Sequence, residues 1–169
     1  MHTVFSRRLN WLLALVMVVS LSACGFALRG PVSFPFKSIY VGVADTSSLG
    51  AELRRQIRSN GQTVVVSDAK DAEVILDVLN ETREKQILSL NGQGLVREYN
   101  LLYNFRFRLR SATGKEFLEP VTIQLKRSIT FNENVVLAKE AEEALLYRDM
   151  QTDLVQQIMR RLAVVKMGD

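Results

Sequence analysis

From Tyr99 to Arg110 apolar and polar residues take turns. Tyr99, Leu101, Tyr103, Phe105, Phe107 and Leu109 hold every second position, with Asn100, Leu102, Asn104, Arg106, Arg108 and Arg110 between them. A strand sends successive side chains to opposite faces, so this segment has one dry face and one wet, basic face. The same period holds at Val74, Leu76 and Val78, in a strand that continues polar through Arg83 to Gln86. It holds again at Val121, Ile123, Leu125, Ile129 and Phe131, where Arg127 interrupts the apolar set. Asn91-Gly92 with Gly94, and then Thr113-Gly114, supply turn chemistry between these runs. The pattern predicts a meander of three long antiparallel strands. Ser38–Val43 and Thr63–Val66 are shorter β-branched runs and read as two further strands.

Elsewhere the period lengthens. Leu49, Leu53 and Ile57 recur every fourth residue behind a capping Ser47 or Ser48, with Arg54, Arg55 and Arg58 turned outward and Asn60-Gly61 as a stop. Ala144, Tyr147, Met150, Leu154, Ile158 and Leu162 are spaced by three or four and mark a long amphipathic helix over about Val136 to Leu162. Its acidic residues gather in the first half, and Arg160, Arg161 and Lys166 stand near its end, as the helix dipole favours. The dry sheet face needs a cover, and two amphipathic helices are available. The expected class is therefore α+β: two helices packed on one face of a four- to five-stranded mixed, mainly antiparallel sheet.

The N-terminus follows a different rule. Arg7 and Arg8 precede an apolar run from Leu9 to Leu21, too short to cross a bilayer comfortably as a helix but suited to the core of a secretory signal. Leu21-Ser22-Ala23-Cys24 resembles a bacterial lipobox, in which the peptide is cut before the cysteine and that cysteine is acylated. The alternative is an uncleaved anchor. The expected division is a cleaved signal over 1–23, the acylated Cys24 and a tether over 24–37 marked by Gly30-Pro31 and Pro35, and one domain over 38–169. Two or three acyl chains anchor stably where one does not. Gly25, rather than Asp, follows the cysteine, which by resemblance to such lipoproteins points to the outer membrane.

Composition narrows the chemistry. The chain has 169 residues, 47% hydrophobic and 24% charged, with one Cys and one His, and His2 lies in the leader. A body without His or a second Cys has no His general base, no Cys-His nucleophile, no intrachain disulfide and no Cys/His zinc site. No phosphate loop, dinucleotide turn or nucleophile elbow is present, and no cofactor is implied. The net charge of +4 falls when Arg7 and Arg8 leave, to 20 basic against 18 acidic residues, which gives no reason to expect nucleic acid. Glu140, Glu142 and Glu143 read as a solvated helix face rather than an acid–base pair, so the chain is expected not to be an enzyme. Arg106, Arg108 and Arg110, joined by Lys126 across the hairpin, form either a solubilising sheet face or a phosphate-binding one.

One family shares this order of features. Cys24-Gly25-Phe26, Leu28-Arg29, Leu53-Arg54-Arg55-Gln56-Ile57, Asn60-Gly61, Asn91-Gly92-Gln93 with Glu98-Tyr99, Arg127-Ser128, Val136-Leu137-Ala138-Lys139 and Met150 together resemble LptE, the lipopolysaccharide-assembly lipoprotein family of the Gram-negative outer membrane. The resemblance implies a plug inside the LptD β-barrel that helps the barrel assemble, binds lipopolysaccharide and aids its delivery to the outer leaflet. It places the chain at the outer membrane, lipid-anchored, with its domain in the barrel lumen. It assigns Lys139 to lipid phosphate. A second basic position, just before the Asn-Gly-Gln turn, is Leu90 here, and Arg97 or Arg127 stands as its substitute. The expected contact is then Lys139, Arg127 and Arg97. Two rivals are a lipid-anchored protein-binding scaffold without lipopolysaccharide binding, told apart by co-purification with a barrel, and a hydrolase using carboxylates alone, which needs two acids converging in a cleft.

Overall fold

A computed structural model describes residues 33–168. The leader and Cys24 lie outside the described residues. The elements are β1 (Ser38–Gly42), α1 (Ser48–Ser59), β2 (Val64–Val65), β3 (Val74–Leu90), β4 (Val96–Arg110), β5 (Glu116–Thr130) and α2 (Val136–Ala163), with short 3-10 turns at Ala69–Asp71 and Glu133–Val135. The five strands form one sheet in the order β2-β1-β3-β4-β5. β1 runs parallel to β2 and β3; β3–β4 and β4–β5 are antiparallel hairpin pairs. Parallel neighbours need a crossover, and α1 with the segment after it supplies one. The expected α+β class, two helices on a mixed and mainly antiparallel sheet, is the observed one.

The local signals act as their chemistry dictates. The Ser47 side chain accepts the Gly50 N–H at 3.3 Å and caps α1. Asn60 ends that helix, and Gly61 takes the left-handed φ of +73°. Leu49, Leu53 and Ile57 are fully buried, as are Leu101, Tyr103, Phe105, Phe107 and Leu109 of β4. α2 is 28 residues long, about 42 Å at 1.5 Å per residue. Its Met150, Leu154, Ile158 and Leu162 close the core, while Ala144 stays exposed. Pro120 lies where the β4–β5 register slips between Phe107 and Leu109; an edge strand at a bulge tolerates a residue without an N–H.

The sequence reading needs four corrections. Phe34 and Phe36 stack with ring centroids 5.4 Å apart and are buried in the core, so the folded part reaches back into the expected tether. Arg54 turns inward: its guanidinium donates to the carbonyls of Val43 and Val41, the latter at 3.3 Å, and pairs with Asp45 at 3.1 Å. Lys126 does not join the arginines of β4. It stands opposite Leu102, four residues or roughly 14 Å along the strand from Arg106, which faces Thr122. The fourth concerns β3. Its pairing with β4 passes from Val78↔Phe107 to Asn80↔Arg106, leaving Leu79 unpaired as a bulge. One extra residue reverses which side chains face which way. Val74, Leu76 and Val78 point to the helices before the bulge, whereas Glu81, Arg83 and Lys85 share the helix-facing side of β4 after it.

Candidate functional site

The bulge sets charge beside the core. Lys85 lies over the Tyr99 ring, 4.4 Å from its centroid, and its Nζ pairs with Glu143 of α2 at 2.6 Å. Phe131 meets Tyr99 edge to face at 5.5 Å. Lys139 reaches from the first turn of α2 to Thr130 Oγ1 at 2.9 Å and to Glu142 at 2.8 Å. These side chains line a cleft of about 230 Å³ where the end of the sheet meets the start of α2, with Val136, Ile129 and Glu140 completing it. Its charge is balanced, two lysines against Glu140 and Glu143. Two of the three helix glutamates thus serve as salt-bridge partners.

The same end of the molecule carries exposed apolar residues. Ile87, Leu88, Leu90 and Leu95 flank the β3–β4 turn, and Val135, Val136 and Leu137 open α2, with Leu137 82% exposed. The turn is well made: Asn91 Oδ1 accepts the N–H groups of Gln93 and Leu95 at 3.0 and 2.9 Å, and Gly94 takes φ +80°. Arg97 is close by, since its carbonyl accepts the Phe131 N–H at 2.8 Å. Its side chain is exposed and forms no ion pair among the described residues. Arg127 lies three residues from Thr130 along β5, roughly 10 Å, and is held by Asp153 of α2 at 2.8 Å. Lys139 and Arg97 therefore share one end of the fold, and Arg127 faces a different stretch of α2.

The opposite face of the sheet is polar. Its arginines are mostly spoken for: Asp77 pairs with Arg108 at 3.0 Å and Arg110 at 2.6 Å, and Glu116 pairs with Arg108 at 3.1 Å. Burial alone would raise the Asp77 pKa, but hydrogen bonds from Arg110 and Arg108 outweigh it and hold the carboxyl below its ordinary 3.8. Arg106 stays exposed between Asn80 and Thr122. Further along, the face is built of amides and hydroxyls, with Gln124 donating to Asn104 at 2.8 Å and Asn104 to Thr82 at 3.4 Å. Both helices pack on the other side of the sheet, against the buried β4 stripe.

A polar network, not legible in the sequence, ties α1, α2 and β3 together. Gln151, only 7% exposed, accepts from Ser48 Oγ at 2.8 Å and from Arg83 at 3.1 Å, and donates to Glu52 at 2.7 Å. Arg83 also donates to the Tyr103 hydroxyl at 3.2 Å, which itself donates to Glu81 at 2.6 Å. Burial, with the Glu81 bond adding to it, pushes the Tyr103 phenol up to about 12. Above this network a groove of about 500 Å³ opens between the helices, lined by Arg55, Arg83, Arg148 and Glu52. The signal that finds it is the parity shift at Leu79, which no turn residue announces. Among the described residues no cluster of three His, Cys, Asp or Glu could hold a metal, and no helix is long and apolar enough to cross a membrane.

Comparison with known proteins gives this geometry a context. The lipopolysaccharide-assembly family LptE matches residues 36–162. The LPS-assembly lipoprotein LptE of Photorhabdus laumondii is 27% identical over 162 residues, covering 94% of this chain and 87% of that protein. The protein of the same name from Yersinia enterocolitica is also 27% identical, with 94% and 77% covered. Among solved structures, the solution NMR structure of lipoprotein B from Nitrosomonas europaea is 41% identical and superposes with a TM-score of 0.71, over 82% of this chain and 90% of that one. The crystal structure of the rare lipoprotein B from Shewanella oneidensis is 28% identical with a TM-score of 0.64, over 75% and 94%.

Proposed function

Because this chain belongs to the LptE lipopolysaccharide-assembly family, matched over residues 36–162, we propose that it is an outer-membrane lipoprotein that plugs and helps assemble the LptD β-barrel and binds lipopolysaccharide on its way to the outer leaflet. In this reading residues 1–23 are the cleaved signal and Cys24 carries the acyl chains, which the lipobox-like Leu21-Ser22-Ala23-Cys24 supports.

The observation that carries the plug is the open sheet face. It is long and rich in amides and hydroxyls that can each give and take a hydrogen bond, among them Thr82, Asn104 and Gln124. The lumen of a large outer-membrane barrel is polar, so a partner of that kind satisfies this face without demanding an apolar interface. The opposite end meets the lipid. Ile87, Leu88, Leu90 and Leu95 present apolar surface to acyl chains, and Lys139 and Arg97 stand beside them for anionic groups. Leu90 adds apolar area at the position to which the resemblance assigns a second basic residue. No covalent step belongs to this reading; its work is binding and assembly.

Detergent extraction of the intact envelope followed by capture of the chain tests the plug, with a large β-barrel protein expected in stoichiometric yield and its absence refuting it. Lipopolysaccharide pull-down at moderate salt tests the lipid end. Replacing Lys139, Arg127 and Arg97 by Gln should reduce retention, and restoring Arg127 alone should recover little. Unchanged retention by the folded triple variant refutes this contact.

A further inference from the structure

Charge balance separates the two openings of this fold. The cleft at Lys139 holds as many carboxylates as lysines. The groove between α1 and α2 holds three guanidinium groups, those of Arg55, Arg83 and Arg148, against the single carboxylate of Glu52. None of the three forms an ion pair among the described residues, whereas Arg54, Arg108, Arg110 and Arg127 all do. Glu52 is in the groove but its oxygens are taken by neutral donors, Gln151 Nε2 at 2.7 Å and Thr152 Oγ1 at 3.4 Å. Arg83 donates only to neutral oxygens, those of Tyr103 and Gln151, and both contacts come from one of its nitrogens. A guanidinium has five donors in a fixed fork, so most of its donors remain free.

The groove is built rather than incidental. Arg83 reaches it only because the Leu79 bulge turns Glu81, Arg83 and Lys85 toward α2. Gln151, itself buried, fixes that guanidinium, and Tyr103 lies beneath it with the Arg83 Cζ 4.6 Å from the ring centroid. Ala51 and Ala144 line the opening, where larger side chains would close it. Three arginines against Glu52 in the lining, with Glu81 one hydroxyl away from Arg83 at Tyr103, leave a net positive groove that suits a phosphate monoester, whose oxygens match the planar forks in pairs.

We propose that this inter-helix groove is a phosphate-binding site in which Arg55, Arg83 and Arg148 hold a phosphate monoester, and that the phosphate is one borne by lipopolysaccharide. The assignment of the carrier rests on the reading under Proposed function; the anion site does not. Arg83 and Lys85 are two residues apart on the same strand face, about 7 Å, so a ligand with more than one anionic group can bridge the groove and the cleft at the hairpin end.

The test uses the purified full chain in detergent micelles and two probes. Inorganic pyrophosphate, followed by calorimetry, reports on the site itself. Lipid A with both phosphates, compared with enzymatically dephosphorylated lipid A, reports on the carrier. The double variant Arg55→Gln/Arg148→Gln alters two exposed side chains, and Arg160→Gln/Arg161→Gln near the end of α2 removes equal charge elsewhere. The double groove variant should lose affinity for pyrophosphate and for bisphosphorylated lipid A on the order of tenfold or more, since two guanidinium groups and their charge-assisted hydrogen bonds are removed. The control pair should retain both, and dephosphorylated lipid A should not distinguish the variants. Equal pyrophosphate affinity in wild type and a natively folded groove variant overturns the site. Loss for pyrophosphate with unchanged binding of bisphosphorylated lipid A overturns the carrier. Pyrophosphate bound through the arginines, with no lipid A bound by the wild type, upholds the anion site and refutes both the carrier and the lipopolysaccharide binding it rests on.

Discussion

Gln151→Leu is the substitution that probes the joint between the two helices and the bulged strand. The change keeps the side chain's bulk and removes both its amide oxygen and its amide nitrogen. Three bonds go with them: from Ser48 at 2.8 Å, from Arg83 at 3.1 Å and to Glu52 at 2.7 Å. A hydrogen bond nets about 1 kcal/mol when both partners are neutral and about 1.5–3 when one is charged. Ser48, Arg83 and Glu52 all border the open groove and recover water, which takes back much of the loss. Leu returns something through apolar burial. A net loss of about 1–2 kcal/mol results, a sizeable part of the ~5–15 kcal/mol that holds a domain together. Urea denaturation followed by circular dichroism measures it. The companion variant Glu52→Ala completes a double-mutant cycle in which the Gln151–Glu52 coupling should be about 0.5–3 kcal/mol. A Gln151→Leu loss under about 0.5 kcal/mol, or a cycle with no coupling, refutes the claim that this residue organises the groove.

Three further outcomes follow from the same structure. Phe105→Ala should cost about 3–5 kcal/mol by emptying a fully buried position, while Arg106→Ala, one residue on and exposed, should stay within about 0.5 kcal/mol; equal effects in denaturation would refute the two-faced reading of β4. Asp77 is held below 3.8, so its stabilising contribution is complete above that pH and is lost as pH falls through the lowered value; Asp77→Asn should flatten the acid limb of a stability–pH curve, and an unchanged limb would show the pairing with Arg108 and Arg110 to be inert. Tyr103 has the opposite sign. Its raised value means that stability is complete below pH 10 and declines toward about 12 as the unfolded chain ionises first, and Tyr103→Phe should reduce that decline in an alkaline unfolding series.

What the sequence makes legible is what local pattern encodes. The β4 stripe, the Ser47 cap, the Asn91 and Gly94 turn chemistry and the length of α2 all follow from periodicity and from residues with special backbone or hydrogen-bonding habits. The Leu79 bulge has no such marker. Leu79 and Asn80 carry neither glycine nor proline, and the register is set by pairing with Phe107 and Arg106 nearly thirty residues away. Everything downstream of that slip, including the place of Arg83 and Lys85 facing α2, was therefore hidden. The neutralisation of Arg108 and Arg110 by Asp77 is likewise a consequence of β3–β4 register. Arg54 misleads for a different reason. Its position on the helix wheel points outward, but the Val41 and Val43 carbonyls at the end of β1 are within reach of so long a side chain. No local pattern singles out Lys139, whose role is an expectation from family resemblance alone; its neighbours in space, Thr130 and Glu142, set its geometry.

The central claim is that the uncovered polar face of the sheet meets the inside of a barrel. A photo-crosslinking residue at Asn104, in the middle of that face, reads this in the intact envelope. A covalent adduct with a large outer-membrane β-barrel protein is expected. Asn104 adducts with soluble periplasmic proteins alone, or none at all in cells where the chain is present and folded, would contradict it.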